Sequence, residues 1–441
     1  MATKPSGGVV DRGYREPRER SAALHARANK ILAGGVTHDG RIQRPFPIFV
    51  TRAAGARKWD VDGNEYVDYT MGHGALILGH AHPVSTQAAI EQLAKGTHYG
   101  ACHELEVAWA EQIAAMVPSA ERVRFHSSGT EATMMALRLA RAATGHARVV
   151  KFHYHFHGWH DYATVGYDDP LEIPSSAGVP AAVAGTITAV PPELDRVRTE
   201  LAKGDVAAVI LEPSGASWGT LPLAPAFVRG LRALCSQYRT ILIFDEVVTG
   251  FRMSPGGFQT LHGIAPDLTT LAKIVAGGLP GAALAGRADL MERFDLRTDP
   301  AWNRGQRIAH PGTFNANPLS AAAGTALLKF IADGRVHAAC NATAERLRSE
   351  LQATFDRHDV PGLVYGETSY WHLSLTGEPA RLNKAGEAGA ALVRALLAHG
   401  VHLMAGGGFV SHVHTADDID RTVGALDASL ADLAQDGLLP K

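Results

Sequence analysis

The chain has 441 residues, 46% of them hydrophobic and 20% charged, with a formal net charge of −2. That is enough chain for two lobes with a sizeable core, and the near-neutral balance leaves no basic face for nucleic acid or an anionic membrane. Cys102, Cys235 and Cys340 are odd in number and scattered, no apolar run reaches membrane-spanning length, and residues 1–20 carry no signal-peptide core. A disulfide framework and a zinc site are thereby disfavoured, and a cytoplasmic protein without a membrane partner is expected.

In chain order, residues 1–17 read as disordered and residues 21–32 as a helix ended by Gly34-Gly35. A loop, Thr37-His38-Asp39-Gly40-Arg41, follows. Residues 59–69 read as two short strands around the turn Asp62-Gly63-Asn64. From about 84 to 320, helical stretches alternate with short β-rich runs, the order of an α/β domain around a mostly parallel sheet; residues 206–211 and 240–244 are its clearest strands. Beyond about 321 alanine-rich helices take over. There Ile419, Val423, Leu426, Leu430 and Leu433 mark one face of an amphipathic helix with Thr415 as N-cap. The division expected is a large domain of residues 71–320 and a smaller lobe from residues 1–70 and 321–441.

Two residues define a chemistry. The apolar run 240–244 has the pattern of a strand buried on both faces, and it ends on Asp245-Glu246, where a parallel sheet opens its ligand crevice. Lys273 stands inside Leu271-Ala272-Lys273-Ile274-Val275-Ala276, a place a lysine seldom occupies unless it is paired or chemically used. A desolvated amine can hold an aldehyde as a Schiff base, and a buried aspartate can keep a pyridine nitrogen protonated. Together they suggest pyridoxal 5′-phosphate (PLP). A core strand with an incidental lysine is the plainer alternative.

Other segments bear on the same chemistry. Val123-Arg124-Phe125 and then His126-Ser127-Ser128-Gly129-Thr130-Glu131-Ala132 read as strand, turn and helix start, a seat for phosphate or simply a capped helix. A short strand, 149–152, leads to His155-Phe156-His157-Gly158-Trp159-His160-Asp161; the histidines lack a tight pair with a third carboxylate ligand, so no metal is expected. The run 206–211 ends on Glu212-Pro213. That carboxylate either lies beside a ligand or holds a neighbouring loop.

Asp245-Glu246-Val247-Val248-Thr249-Gly250-Phe251-Arg252, Pro266-Asp267-Leu268 and Lys273 resemble the signature of class III (subgroup II) PLP-dependent aminotransferases, and further motifs follow in the family's order from Gly34 to the last helix. The resemblance implies PLP fold type I, with a mostly parallel seven-stranded sheet in the large domain and a smaller α/β lobe from both termini. It implies that Lys273 holds PLP and moves protons, and that Asp245 faces the pyridine nitrogen. Ser128, Gly129 and Thr130 hold phosphate, Phe156 and Val247 cover the ring faces, and His157 follows the aromatic residue. Glu212 lies beside the cofactor and Ser217 donates toward its phenolic oxygen. Thr313, in the His310-Pro311-Gly312-Thr313-Phe314-Asn315-Ala316-Asn317-Pro318 segment, reaches the phosphate of the neighbouring subunit, which makes a homodimer with shared sites.

Within the class, Gly34-Gly35-Val36, Leu78-Gly79-His80-Ala81-His82-Pro83 and Ser127-Ser128-Gly129-Thr130-Glu131-Ala132 look like the glutamate-1-semialdehyde aminomutase subgroup. Gly72-His73-Gly74-Ala75-Leu76, His157-Gly158-Trp159-His160-Asp161 and Gly277-Gly278-Leu279-Pro280-Gly281 look more like its D-phenylglycine aminotransferase branch. The aminomutase has Ser-Trp where Gly72-His73 stands, and of its Asn-Ser-Pro-Val-Arg loop only Arg41 persists. β-Phenylalanine-type relatives carry a second arginine where Ala405-Gly406-Gly407-Gly408-Phe409 stands. Arg41 falls where relatives bind a substrate carboxylate, and His73, Phe156 and Trp159 could supply aromatic walls. The expected reaction is amino transfer between an amino acid with one carboxylate and an apolar or aromatic side chain, and a 2-oxo acid. An aminomutase of the glutamate-1-semialdehyde type or an amino-acid racemase is the alternative. A silent PLP-fold binding protein would have lost Lys273 or Asp245, and a Rossmann dehydrogenase would carry Gly-x-Gly-x-x-Gly after a strand.

Overall fold

The computed structural model describes residues 7–379, 386–404 and 406–440. Two compact units emerge, Met1–His82 with Ala338–Lys441, and Pro83–His337. These edges differ from the expected 70/71 and 320/321. Helix Pro318–Ile331 packs on helices Pro83–Leu93 and Glu104–Met116, which carries the larger unit past residue 320.

In the smaller unit β1 (Val50–Ala54), β2 (Arg57–Asp60) and β3 (Glu65–Asp68) form an antiparallel ribbon. Its tight turn is held by the Asp60 carboxylate, which accepts from the Asp62 and Asn64 backbone N–H groups and from the Asn64 amide.

The larger unit contains β4 (Arg122–His126), β5 (Arg148–Phe152), β6 (Ile187–Val190), β7 (Val206–Leu211), β8 (Leu221–Pro222), β9 (Ile241–Asp245), β10 (Leu268–Leu271) and β11 (Ala282–Gly286). Seven of them make one sheet in the order β4-β11-β10-β9-β7-β5-β6. The five strands from β10 to β6 run parallel, and β11 is antiparallel to both of its neighbours. Every residue of β7 and β9 is buried, which is why both read as continuous apolar runs rather than alternating ones.

The C-terminal part of the smaller unit adds β12 (Leu363–Tyr365), β13 (Tyr370–Ser374), β14 (Val401–His402) and β15 (Gly407–Phe409); β14 joins β3 in parallel, and the other three form their own sheet. Helix Ala416–Gln435 starts at Thr415 with a capping box to Asp418 and buries Ile419, Leu426, Leu430 and Leu433.

Two expectations about the N-terminus are corrected. Residues 9–15 are not disordered: Val9–Arg15 is a helix with Val10 and Tyr14 buried, and its first N–H groups donate to the Asp436 carboxylate. Residues 1–6, part of the same expectation, lie outside the described residues. The next helix is Glu19–Ala28 rather than 21–32. It starts earlier because Asp62 accepts from the Arg20 and Ser21 N–H groups, supplying from the β2–β3 turn the acceptor that no neighbouring residue provides.

Asp68 at the end of β3 is the smaller unit's buried electrostatic hub. Its carboxylate accepts from Lys58 Nζ at 2.8 Å and from the Thr70 N–H at 2.9 Å and hydroxyl at 2.6 Å, and it meets His80 Nε2 at 2.7 Å. Burial pushes the carboxyl up, but Lys58 and His80 outweigh it and hold it well below the usual range. Asp68→Ala would leave the Lys58 ammonium buried without its counter-ion, at an expected cost of about 3–5 kcal/mol. A depressed carboxyl stabilises fully above its unfolded pKa of about 3.9 and progressively less as pH falls below it. The difference in urea stability between parent and variant should therefore be largest near neutrality and shrink below about pH 4; a pH-independent difference would exclude this origin.

Candidate active site

Asp245 ends β9 with only 4% of its surface exposed. One carboxylate oxygen meets His157 Nδ1 at 2.7 Å; the other accepts from the Val247 N–H at 3.1 Å and the Thr270 hydroxyl at 3.2 Å. Thr270 is placed by sheet register, since it pairs with Asp245 across the parallel β9–β10 ladder. Burial lowers the His157 imidazole below its usual pKa, with Asp245 acting in the opposite direction. Among the described residues, His157 Nε2 is buried without a hydrogen-bond partner.

Lys273 follows β10 in a left-handed conformation, φ +55°, with its side chain half-buried. Its amine makes no hydrogen bond to a described residue. Desolvation lowers its pKa, while Asp245 and Glu212 oppose the shift, so the amine sits under the influence of both carboxylates. Among the described residues, the two buried lysines differ. Lys58 is paired with Asp68, and Lys151 donates to the Ala163 carbonyl at 2.7 Å.

Helix Gly129–Thr144 opens on Ser128, whose hydroxyl accepts from the Glu131 N–H while the Glu131 carboxylate takes the Ser127 and Ser128 N–H groups. The cap leaves the Gly129 and Thr130 N–H groups, which an α-helix start cannot satisfy internally, for an anion. A Cβ on Gly129 would come within 3.0 Å of the Val247 side chain and 3.5 Å of Ala272. Glycine thus lets the helix start, Val247 and the residue before Lys273 close on one another. Gly158, φ +97°, does the same for the histidine-rich loop, where a Cβ would lie 2.6 Å from the Thr130 hydroxyl. The Thr133 hydroxyl fastens that loop by donating to the His157 carbonyl at 2.6 Å.

Glu212 takes the loop-holding geometry of its two sequence readings. Oε1 accepts from the Phe156 N–H at 2.7 Å and the Ser217 N–H at 2.8 Å, and Oε2 from the Trp218 N–H at 2.7 Å. It thereby joins the Phe156 loop to a turn in which Ser217 and Trp218 are both left-handed. Burial, with Asp245 adding to it, pushes this carboxyl up to about 7 against the three N–H groups. The Ser217 hydroxyl lies 3.3 Å from the Tyr154 carbonyl, to which it donates. Phe156 keeps 47% of its surface exposed although its loop is anchored on buried residues, and Tyr167 packs against it with ring centroids 5.2 Å apart.

Thr313 stands on an exposed loop, and its hydroxyl has no partner among the described residues. Arg41 and His73 belong to the smaller unit. Arg41 Nη1 donates to the Thr37 hydroxyl at 2.8 Å, and His38 Nδ1 accepts from the Gly40 N–H. The His38 ring lies 4.8 Å from that of His73, which sits in a left-handed run from Met71 to Gly74. Sequence reasoning missed His38 and Thr270; a register argument could have found Thr270, but no local signal marks His38. Of the C-terminal glycine hairpin, Ala405 lies outside the described residues. Among the described residues, no group of three or more His, Cys, Asp or Glu could hold a metal, and no helix is long and apolar enough to cross a membrane.

The larger unit fits PLP in its own chemistry: a desolvated amine with no hydrogen bond to a described residue, a buried carboxylate oriented by histidine, a helix start whose first N–H groups lack intrahelical acceptors and a half-exposed aromatic ring. The sequence profile of the family Aminotransferase class-III matches residues 40–426. A glutamate-1-semialdehyde 2,1-aminomutase of Syntrophomonas wolfei is 38% identical over 429 residues, spanning 93% of this chain and 98% of its own. Among solved structures, an omega-transaminase from Sphaerobacter thermophilus has a TM-score of 0.88 at 33% identity, covering 96% of this chain and 99% of that one. A transaminase with PLP bound has a TM-score of 0.87 at 30% identity, covering 95% and 99%.

Proposed function

The chain belongs to the class-III aminotransferase family, with PLP as its cofactor, and from that premise we propose that it transfers an amino group between an amino acid bearing one carboxylate and an apolar or aromatic side chain, and a 2-oxo acid. Bound PLP supplies an electrophilic aldehyde and an electron-withdrawing ring that acidifies the C–H beside the substrate nitrogen. Lys273, less basic through desolvation, would hold the cofactor at its aldehyde carbon. The same Nζ would act as general base and acid, moving the proton between the substrate Cα and the cofactor's C4′. Asp245, oriented by His157, keeps the ring nitrogen protonated. The Gly129 and Thr130 N–H groups, with the Ser128 hydroxyl, would receive phosphate, and Phe156 and Val247 would cover the ring. Glu212 holds the Phe156 and Ser217 loops beside them.

The substrate side of this reading is carried by Arg41. Among the described residues its guanidinium is tied only to the Thr37 hydroxyl, which leaves most of its donors for a carboxylate, and His38 of the same loop packs on the ring of His73. Loss of one charge-assisted bidentate contact costs roughly 2–3 kcal/mol. Arg41→Ala should therefore lower kcat/KM toward amino acids by roughly 30- to 150-fold and hardly change it for a carboxylate-free amine such as 1-phenylethylamine. Equal losses on both substrates would remove Arg41 from the role.

The second reading is a 1,2-aminomutase, and the named sequence relatives favour it. The two separate in a single-turnover experiment without acceptor. A transaminase releases one equivalent of 2-oxo acid from its amino-acid donor. A mutase converts glutamate 1-semialdehyde to its amino-shifted isomer and releases none, a result that would replace the first reading.

The exposed Thr313 hydroxyl supports a homodimer in which it reaches the partner's phosphate. Mixing inactive Lys273→Ala with a Thr313→Ala variant weakened in PLP binding should then restore activity through hybrid dimers. A fully active monomer in sedimentation would contradict the shared site.

A further inference from the structure

The segment 310–317 has no helix or strand of its own, yet it is pinned at three main-chain carbonyls by side chains from distant parts of the larger unit. Arg124 Nη2 donates to the His310 carbonyl at 3.1 Å, His98 Nε2 lies 2.6 Å from the Thr313 carbonyl, and His103 Nε2 lies 2.9 Å from the Ala316 carbonyl. A carbonyl only accepts, so each imidazole must carry its proton on Nε2. For His103 this tautomer is enforced, because its Nδ1 accepts from the Glu106 N–H as N-cap of helix Glu104–Met116. For His98 the ring also meets Phe314 edge-on, with centroids 5.5 Å apart.

We propose that His98 and His103 are positioning residues of the cofactor phosphate site, which set where the Thr313 hydroxyl stands by gripping the main chain at Thr313 and three residues beyond it. The proposal rests on the reading that Thr313 serves a phosphate. A short loop free of both contacts would sample many backbone states, and a hydroxyl carried on it would lose the fixed placement that phosphate recognition requires. The role assigned to the two histidines is exerted through the main chain that carries Thr313. Their effect is confined to the ligand group that Thr313 addresses.

The test uses the full chain stripped of cofactor and titrated with PLP and with pyridoxal, which lacks the phosphate, followed by absorbance. His98→Phe keeps the ring against Phe314 and loses the N–H. His103→Asn keeps a good N-cap and loses the reach to Ala316. The double variant should raise the Kd for PLP by about ten-fold or more while the Kd for pyridoxal stays within about two-fold. If the double variant does not fold, each single variant should show the same selectivity at about three-fold. Equal weakening of both ligands, or an unchanged Kd for PLP, would overturn the proposal. Thr313→Val separates it from its premise. If that variant weakens PLP selectively and the histidine variants do not, only the clamp fails; if it leaves the PLP-to-pyridoxal ratio unchanged, the reading of Thr313 fails first.

Discussion

Lys273→Ala is expected to lower kcat by at least about 10⁴-fold while the protein still binds PLP, because in the proposed reaction one side chain supplies both the covalent hold and the proton transfer. Three lysines with desolvated or buried amines compete for the role, and their surroundings decide among them. Lys58 is neutralised by Asp68, and the Lys151 ammonium is seated on the Ala163 carbonyl. Lys273 alone has an amine that burial lowers and that no hydrogen bond to a described residue occupies. Borohydride reduction of the PLP-loaded protein should fix a pyridoxyl group on Lys273, and the label should vanish in Lys273→Ala. A peptide map with the label on Lys58 or Lys151 would sink the assignment. The proposed phosphate and ring contacts do not involve Lys273, so the variant should still turn yellow when PLP is added.

The second large effect is expected at Asp245. Asparagine keeps the shape, with its carbonyl able to take the Val247 N–H and its amide N–H group facing His157 Nδ1, but the negative charge is gone. Removing the charged member of a buried pair costs about 3–4 kcal/mol, so kcat should fall by roughly 10²- to 10³-fold. Thermal stability should change little, because the imidazole of His157, lowered by burial, can carry its proton on Nε2 and accept from that amide on Nδ1. Asp245→Asn with activity within about ten-fold of the parent would mean that the carboxylate does not face the ring nitrogen. A large loss of stability together with activity would make its role structural.

Both predictions concern residues that were legible in the sequence, and the reason is local. β9 is apolar throughout because both of its faces are covered, so the first charged residues after it, Asp245 and Glu246, mark the sheet's edge without any knowledge of neighbours. The same holds for Ser128 and Thr415, whose capping boxes close within three residues, and for the buried stripe of the last helix.

Interactions that close over long stretches of chain were not legible. The Val9–Arg15 helix looked disordered because its first N–H groups find their acceptor 427 residues away, at Asp436. Glu212 had two equal readings until the fold brought the Phe156 N–H to it across 56 residues and made it a loop holder. The grip of His98 on Thr313 spans 215 residues, and nothing around either residue announces it. Periodicity, caps and strand ends reflect forces between residues a few positions apart, so the sequence alone determined the fold class, the parallel sheet and the candidate lysine and aspartate. Which polar side chains meet across the closed loops was decided by tertiary structure, because those partners become neighbours only after the sheet order and the helix packing have set the loop ends in place.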